Sequence, residues 1–421
     1  CKAFSLTDKF SFMEEYNRIK IQHICSNICS GGTPKSTIAE YYGGNIPWLN
    51  TKEINFCRIY GTEKTITDKG LNNSSAKWIP TDSVIVAMYG ATAGKTAIAK
   101  IPLTTNQACC NLTIDSAKAD YRFVYYALCN DYAYLASLAN GGAQQNLNAQ
   151  QIKEFEIPFP SLEEQKRIAD ILSSLDSKIE LNRRINDNLE QQAQALFKSW
   201  FVDFEPFKDG KFVESELGMI PEGCRVGKAE DFYNINIGKT PPRKEQIWFS
   251  SNSSDYTWVS ISDLGSCGRF VFTSSEFLTH EAIKRHNIIL VPKDTILLSF
   301  KLTIGRVGIA GTELTTNEAI ARFITSDENR EYTYFLLKGY NYEKLGSTSS
   351  IATAVNSKII KAMVVLMPDK EILKAFSSLT KPYFDQILRN EQESIRLTIL
   401  RDTLLPKLMS GELKINATEV L

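Results

Sequence analysis

Four short motifs occur twice in this 421-residue sequence, in the same order and at an offset of about 210 residues. The first copies are Gly32-Thr33-Pro34, Pro47-Trp48-Leu49-Asn50, Asp82-Ser83-Val84-Ile85 and Thr104-Thr105-Asn106-Gln107-Ala108. The second copies are Lys239-Thr240-Pro241, Thr257-Trp258-Val259-Ser260, Asp294-Thr295-Ile296-Leu297 and Thr315-Thr316-Asn317-Glu318-Ala319. Such a repeat predicts two domains that share one fold.

Each copy has the local pattern of an α+β domain. Short β-branched and aromatic runs, such as residues 83–87 and 295–299, alternate with connections rich in Gly, Asn and Thr. This alternation indicates mixed sheets with long loops. Helical periodicity follows around residues 121–138 and 330–345.

A longer helical segment follows each copy, over about residues 162–201 and 371–409. In the first segment, steps of four and three residues alternate through Ile168, Leu172, Leu175, Ile179, Asn182, Asn186, Leu189, Ala193 and Leu196. The second has a comparable seam through Phe376, Tyr383, Ile387, Asn390, Ser394, Leu397 and Leu404. This spacing is typical of coiled coils, so we predict that the two helices pair with each other.

Asparagines interrupt both apolar seams. Asn182, Asn186 and Asn390 either set the register of the helix pair, as seam asparagines do in coiled coils, or mark places where the seam drifts to the surface. The predicted pairing holds under either interpretation.

Composition excludes several classes of protein. The 48 basic residues balance 48 acidic residues, so any contact with nucleic acid depends on local patches rather than on bulk charge. No apolar run approaches the roughly 20 residues that span a bilayer, and the N-terminus lacks a secretory pattern, so we expect no membrane association and a cytoplasmic location. The nine cysteines and three histidines lack the spacing of metal ligands, so no metal site is expected.

One glycine-rich loop resembles a phosphate-binding P-loop without matching it. Three residues separate Gly90 from Gly94, where the motif needs four, and residues 300–306 lack both the first glycine and the Lys-Thr ending. A loop that ends in Lys95 or Arg306 either approaches a nucleic-acid phosphate or is a tight turn with a solvated cation. Since no methyl-donor motif or nucleophile triad is found either, we predict a chain without catalytic activity.

Taken together, the sequence resembles the specificity subunit of type I restriction-modification systems over almost its whole length. The resemblance is carried by Pro158-Phe159-Pro160 leading into residues 164–168, and by residues 195–201, 216–223 and 400–413. The chain departs from the family at Cys224, where a Trp is usual, and lacks the Glu-Gln pair before the second long helix.

The resemblance implies an α+β fold with two mixed α/β target recognition domains in a pseudo-twofold repeat, separated by two long antiparallel coiled-coil helices. The first recognition domain would span residues 1–161 and the second residues 208–369. The central conserved helix would span residues 162–207, and the distal conserved helix with its tail residues 370–421. Each recognition domain would read one half of a bipartite, asymmetric sequence in double-stranded DNA.

The resemblance also implies partner subunits that supply the chemistry. Two modification subunits would methylate adenine with S-adenosylmethionine, and restriction subunits would cut unmodified DNA with ATP and Mg, so that this chain needs no cofactor of its own. The helices would dock the modification subunits, and the apolar residues assigned to that contact are Ile168, Leu172, Leu175, Ile179, Leu189, Leu196, Phe376, Tyr383, Ile387, Leu397 and Leu404.

Polar residues of the repeated loops are the candidate DNA contacts, because amides suit adenine edges, cations suit guanine and phosphates, and hydroxyls suit phosphates. In the first copy they are Thr33, Lys35, Asn50, Lys52, Tyr89, Thr92, Lys95, Thr105, Asn106, Gln107, Gln144, Gln145 and Asn146. In the second they are Lys239, Thr240, Arg243, Ser260, Ser262, Lys301, Thr303, Arg306, Thr316, Asn317, Glu318, Ser349 and Thr353.

The Thr-Thr-Asn motif has a structural alternative, because an Asn after threonines also turns or caps the backbone. Residues kept in both copies are poor choices for reading two different half-sites, so positions that differ are better candidates for base discrimination. Gln107 and Glu318 differ in this way, with Gln suited to adenine and Glu to the cytosine amine.

Two other functions remain open at this point. A coiled-coil scaffold for protein interactions would have the same balanced charge, and it is distinguished from a DNA reader by weak dependence of binding on salt. A single-chain restriction enzyme would need a methyl-donor motif and a nuclease core, which the sequence does not contain in any pattern that we find.

Overall fold

A computed structural model describes residues 16–139, 146–345 and 355–415. The chain forms two compact units. Unit 1 consists of residues 1–179 with 396–421, and unit 2 consists of residues 180–395. The domain limits expected at residues 161, 207 and 369 stay predictions, since the units divide the long helices instead of separating them from the sheets.

Unit 1 is built on two mixed sheets. Its strands β1 to β11 are Arg18–Lys20, Cys25–Ser30, Tyr42–Leu49, Cys57–Ile59, Lys64–Ile66, Trp78–Ile79, Val84–Ala87, Thr96–Ala99, Leu103–Thr105, Cys109–Ile114 and Glu156–Pro158. Its helices α1 to α4 are Asp68–Asn72, Tyr121–Asn130, Tyr132–Ser137 and Ala149–Glu154, and α5, Leu162–Phe201, begins in this unit. One sheet has the order β2-β10-β7-β8-β4, the other β5-β3-β9-β6, and β1 pairs with β11.

Unit 2 repeats this plan. Its strands β12 to β24 are Phe212–Ser215, Gly218–Pro221, Cys224–Lys228, Asn234–Ile237, Phe249–Ser250, Tyr256–Val259, Phe270–Val271, Phe277–Leu278, Ile296–Ser299, Val307–Ala310, Thr315–Thr316, Ile320–Ile324 and Val364–Pro368. Its helices α6 to α10 are Ala229–Phe232, Ile261–Ser266, His280–Arg285, Arg330–Lys338 and Ser357–Lys361, and α11, Lys370–Ser410, begins here.

The strand order confirms that the two sequence copies share one fold. The five-stranded sheet of unit 2 has the order β15-β23-β20-β21-β18, which corresponds strand for strand to that of unit 1. In both sheets the last two strands are parallel, as β4 is to β8 and β18 to β21. The parallel pair β3 and β9 of the second sheet also recurs, as β17 and β22. The α+β class and the mixed sheets are therefore confirmed.

The central strands explain why residues 83–87 and 295–299 are apolar without alternation. Every residue of β7 and of β20 is buried, because these strands lie in the middle of a sheet that is covered on both faces. Successive side chains of β7 enter different cores, Val84 and Val86 on one face and Ile85 and Ala87 on the other.

The two long helices begin and end within one residue of the predicted segments. Ser161 caps α5 by accepting from the Glu164 amide at 3.3 Å, and Asp369 caps α11 by accepting from the Ile372 amide at 3.0 Å. Gly411, with φ of 78°, follows the last residue of α11, a position that favours glycine.

Within each unit the helices run antiparallel. In unit 1, Arg401 of α11 contacts Asp176 of α5 at 2.7 Å, and Leu408 shares a core with Ile168 and Leu172. In unit 2, Asn390 Nδ2 donates to Asn186 Oδ1 at 2.8 Å, while Asn182 Nδ2 donates to the Asn390 carbonyl at 3.3 Å.

The seam asparagines are buried, so the surface-drift alternative is wrong. Asn182, Asn186 and Asn390 are at most 5% exposed and bond across the helix pair. A buried amide must meet its partner to avoid an unsatisfied group, which is how such residues set register. The predicted seam misses Phe384, which is fully buried in unit 2, whereas Tyr383 is only partly buried.

Candidate nucleic-acid interface

A matching contact in each unit joins the two motifs that frame the repeat. The Thr33 hydroxyl donates to Gln107 Oε1 in unit 1, and the Thr240 hydroxyl donates to Glu318 Oε2 in unit 2. Gln107 and Glu318 are exposed on the turns after β9 and β22. The structure therefore places one pair of predicted contacts together in each unit, at equivalent positions.

Glycines bring these segments into contact. A Cβ on Gly31 would lie 2.2 Å from the Thr105 carbonyl oxygen, and a Cβ on Gly238 would lie 2.0 Å from that of Asn317. The next residues donate backbone bonds across the same gap, from Gly32 to Thr105 at 2.8 Å and from Lys239 to Thr316 at 2.9 Å. Only glycine permits this approach, which holds Thr33 and Thr240 beside the turns.

The Thr-Thr-Asn motifs have the structural role that was one of the two alternatives. The four threonines Thr104, Thr105, Thr315 and Thr316 are fully buried. Asn106 Oδ1 accepts from the Ala108 amide at 3.2 Å, and Asn317 Oδ1 accepts from the Ala319 amide at 3.1 Å. Each motif thus forms the turn that presents the following residue.

Asn50 and Ser260 cap helical turns. Asn50 forms a capping box with Glu53, and Ser260 forms one with Asp263. Asn50 Oδ1 also accepts from Asn106 Nδ2 at 3.2 Å. Contacts of these two residues with DNA stay predictions, but both side chains have a sufficient structural reason to be polar.

The basic candidates bond within their own units. Lys95 Nζ donates to Asn55 Oδ1 at 2.8 Å, and Arg306 Nη1 donates to the Ile261 carbonyl at 2.7 Å. Lys239 Nζ donates to the His286 carbonyl at 2.5 Å, and Lys52 pairs with Glu63. Lys95 and Arg306 thus have partners within their own units, and both alternatives for these loops, a phosphate contact or a tight turn, stay predictions.

Arg243 is the most heavily engaged cation among the candidates. Its guanidinium pairs with both carboxylate oxygens of Glu276 at 2.9 Å. It also lies 4.4 Å from the Phe249 ring centroid and 4.5 Å from that of Trp258. Stacking and bidentate pairing together fix the side chain against unit 2.

Opposite charges surround the Glu318 carboxylate. Partial shielding of this otherwise exposed carboxylate from water would raise its pKa. The bond from Thr240, a backbone amide and the charges of Lys301 and Arg243 outweigh that effect, so the pKa of Glu318 lies below its ordinary value. Thr240, Arg243, Lys301 and Glu318 are therefore one electrostatic cluster, and Glu318 is ionised in it.

Two hairpins carry most of the remaining candidates. Between β7 and β8, Tyr89 is 42% exposed and bridges to Asn146, and the Thr92 hydroxyl donates to the Tyr89 carbonyl at 3.1 Å. Between β20 and β21, Lys301 and Thr303 are exposed and flank Leu302, which is 99% exposed with φ of 58°.

Leu302 is not among the candidates, because they were selected for polarity. The signal that could have identified it is its position within the repeat, opposite the Gly90 loop of the first copy. Lys35 and Ser262 are exposed. Gln144, Gln145, Ser349 and Thr353 lie outside the described residues.

Many residues assigned to partner docking lie in the chain's own cores. Ile168, Leu172, Phe376 and Ile387 are fully buried, and the remaining residues of that set are partly buried. These buried side chains stabilise each unit. The exposed apolar side chains on the same helices are Leu181, Ile185, Leu379, Ile395, Ile399 and Leu400.

Matching tyrosines attach the sheet region of each unit to its helix pair. Tyr126 in α2 donates to Asp176 of α5 at 2.5 Å, and Tyr334 in α9 donates to Glu190 of α5 at 2.6 Å. Burial would raise the pKa of Glu190, but Lys338, Tyr334 and Arg269 lower it overall. Sequence reasoning missed these anchors, although the offset of the repeat aligns the two tyrosines.

None of the described helices is both long enough and apolar enough to cross a membrane. Within residues 16–139, 146–345 and 355–415, no three His, Cys, Asp or Glu side chains are grouped as metal ligands.

Known proteins match this architecture across nearly the whole chain. The model of the type I restriction modification DNA specificity domain matches twice, at residues 13–191 and 221–397. The MjaIX specificity subunit of a type I restriction enzyme from Methanocaldococcus jannaschii is 33% identical over 98% of this chain and 96% of its own length. The HindI specificity subunit from Haemophilus influenzae is 26% identical over 67% of this chain and 74% of its own length.

A solved structure has the same fold. The S subunit of a type I restriction-modification system from M. genitalium superposes with a TM-score of 0.54 at 18% identity, covering 95% of this chain and 98% of that one. The first match of the family model contains the first copy of the sequence repeat with the Thr33–Gln107 contact. The second match contains the second copy with the Thr240–Glu318 contact. The chain therefore belongs to the family of type I restriction-modification DNA specificity subunits.

Proposed function

We propose that this chain reads a bipartite, asymmetric sequence in double-stranded DNA, one half with residues 1–161 and the other with residues 208–369, and performs no chemistry itself. The observation that carries this proposal is the pair of contacts Thr33–Gln107 and Thr240–Glu318. One scaffold presents an exposed amide in the first copy and an exposed carboxylate in the second. Two chemically different readers on one fold are what an asymmetric site requires.

The partners follow from the family. We propose that α5 and α11 dock two modification subunits, which bind S-adenosylmethionine and methylate adenine. Restriction subunits that use ATP and Mg would complete the assembly, and this chain would hold no cofactor. Leu181 and Ile185, four residues apart on α5 and both exposed, support a docking role for this helix, because neighbouring apolar side chains on one helix face are suited to burial by a partner.

Sequencing of methylated adenine tests the proposal. DNA is taken from cells that co-express this chain with its modification subunit, and Gln107→Ala is compared with Gln150→Ala, another exposed glutamine of unit 1. We expect a split methylated motif that relaxes in one half only for Gln107→Ala and does not change for Gln150→Ala. Absence of methylation despite an intact complex would contradict the proposal.

A protein-interaction scaffold is the alternative, and salt distinguishes it. Binding through several Lys and Arg contacts to phosphates weakens steeply between about 50 and 200 mM salt, whereas an apolar protein interface changes little. Affinity of the assembled complex for its methylated motif, measured against salt, should therefore fall by at least about tenfold over this range. A flat profile would favour the scaffold.

A further inference from the structure

We infer that Thr33 and Thr240 are positioning residues that give position 107 and position 318 opposite base preferences: Gln107 reads a keto base and Glu318 reads an amino base. This inference rests on the proposed function and specifies the chemistry of its two readers. It replaces the simple expectation that a glutamine pairs with adenine.

The hydrogen-bond polarity at Gln107 carries the first half of the inference. The atom that contacts the Thr33 hydroxyl is Oε1 of the amide. A carbonyl oxygen only accepts, so the hydroxyl donates and engages it. Nε2, which only donates, is then the group that Gln107 offers on the exposed side of the turn.

A glutamine held in this way cannot use its full pairing capacity. Adenine is recognised through a bidentate contact, in which the amide nitrogen donates to N7 and the amide oxygen accepts from N6. With one of its two lone pairs engaged by Thr33, Oε1 is a weaker and less freely oriented acceptor for the second of these bonds. A single donor instead suits the O6 atom of guanine or the O4 atom of thymine, which are the keto groups in the major groove.

The same contact has the opposite consequence at Glu318. Thr240 donates to Oε2, and the carboxylate, ionised beside Lys301 and Arg243, offers only acceptor lone pairs to a base. An acceptor suits the N6 amine of adenine or the N4 amine of cytosine. Equivalent turns and equivalent threonines thus present a hydrogen-bond donor at Gln107 and a hydrogen-bond acceptor at Glu318.

The packing shows that this geometry is built into the fold rather than being a chance surface contact. Gly31 and Gly238 leave no room for a Cβ against the turns, and Trp48 and Trp258 hold the same segments by donating to the carbonyls of Gly32 and Lys239 at 2.9 and 3.1 Å. The threonine and its reader therefore keep one relative position in both units.

Replacing a hydrogen-bond donor of the protein by an acceptor at the same place in the groove should change the preferred base from a keto base to the amino base of the same size. Guanine O6 and adenine N6 occupy equivalent positions, as do thymine O4 and cytosine N4. Gln107→Glu should therefore change one base of the first half-site by a transition, from guanine to adenine or from thymine to cytosine. Glu318→Gln should cause the reverse transition in the second half-site.

The experiment uses the complex of the full chain with its modification subunits. Gln107→Ala first locates the base that position 107 reads, as the position that relaxes in the methylated motif. Competition between duplexes that differ at that base then measures preference for the wild type and for Gln107→Glu. We expect a keto base in the wild type and a shift of preference toward the matching amino base on the order of tenfold.

Thr33→Val and Thr33→Ser separate positioning from stability. Thr33→Val removes the hydroxyl and releases the amide, so that adenine is accepted beside the keto base, whereas Thr33→Ser keeps the hydroxyl and the wild-type preference. The unchanged half-site is the internal control for folding in every variant. The reciprocal set at Thr240 and Glu318 provides an independent measurement if a unit 1 variant fails to fold.

The outcomes distinguish this inference from the proposed function. Absence of a split methylated motif with the wild-type complex would overturn both the proposed function and this inference. A wild-type motif with adenine or cytosine at the position read by Gln107, a transversion in Gln107→Glu, or equal behaviour of Thr33→Val and Thr33→Ser would overturn the inference alone.

Discussion

Leu302 is an apolar side chain almost completely in solvent, in a backbone conformation that leucine rarely adopts. A positive φ costs a residue other than glycine about 1–3 kcal/mol, and such strain is retained where a site uses it. Its neighbours Lys301 and Thr303 are exposed as well. This combination suits insertion against a thymine methyl group or between base steps.

Leu302→Gly should therefore separate stability from DNA binding. We expect the free energy of unfolding to stay constant or rise by up to about 1 kcal/mol, because glycine accepts the positive φ. Affinity for the target duplex should fall several-fold. Leu217→Ala, at an exposed leucine between β12 and β13, is the control and should leave the affinity unchanged. Unaltered affinity in Leu302→Gly would rule out a DNA contact.

Gly31, two residues before Thr33, gives a second prediction at the scale of single residues. Gly31→Ala places a Cβ 2.2 Å from the Thr105 carbonyl, whereas a Cβ on Gly61 has no atom within 4 Å. We expect a loss of roughly 1–3 kcal/mol for Gly31→Ala and less than about 0.5 kcal/mol for Gly61→Ala in denaturant unfolding. Equal effects would mean that the turn relaxes without cost.

The repeat in the sequence selects candidate positions, but it does not show which side chains surround them. Gln107 and Glu318 are candidates because they differ at a matched position. Arg243 was chosen as a cation for DNA, but only the fold brings Glu276 and two aromatic rings to it. Long-range partners of this kind leave no pattern along the chain.

At the scale of elements, the helix pair in unit 2 depends on a buried amide contact. Asn186→Ala leaves the buried Nδ2 of Asn390 without its acceptor and should cost about 1–3 kcal/mol. Replacing both residues by leucine should be close to neutral, since neither amide is then left unsatisfied. A double-mutant cycle in denaturant unfolding measures the coupling. Additive effects would contradict a direct role of the pair in setting the register.

Glu391 of α11 gives a prediction about pH. Its carboxylate accepts from the amides of Arg269 at 2.7 Å and Phe270 at 2.9 Å, but burial outweighs these bonds and raises the pKa of Glu391. The native state thus holds the proton more tightly than the unfolded state does. The contribution of Glu391 to stability is present below its ordinary pKa of about 4.5 and is lost as pH rises through the raised value.

Glu391→Gln should remove this pH-dependent contribution. Relative to the wild type, the variant's free energy of unfolding should fall less as the pH rises from 4.5. Glu190→Gln is the opposite control, because the pKa of Glu190 is lowered and its contribution is lost as pH falls. Parallel pH profiles of the wild type and Glu391→Gln would refute the assigned titration.

The elements themselves were largely predictable. Heptad spacing located α5 and α11 to within a residue, and apolar runs located β7 and β20. The order of the strands was not predictable, because the pairing of β10 with both β2 and β7 joins segments far apart in the sequence. Short strands such as Phe270–Val271 and Thr315–Thr316 are defined only by these partners.

At the scale of the whole molecule, unit 1 is assembled from both ends of the chain. Leu408 and Met409 of α11 belong to the core that also contains Phe123 and Val124 of α2. Leu408→Ala should therefore destabilise unit 1 by about 2–5 kcal/mol. Amide hydrogen exchange should become faster in α2, while β20 of unit 2 keeps its protection. Uniform acceleration in both units would show that they unfold as one cooperative body.

This arrangement reverses the order in which the two units can mature during synthesis. Unit 2 is one continuous stretch, residues 180–395, so all of it has been synthesised while unit 1 still lacks residues 396–410. Unit 1, most of which is translated first, cannot complete its core until the last turns of α11 have been synthesised. A chain that stops early would therefore release a complete reader for one half-site attached to an unfinished reader for the other.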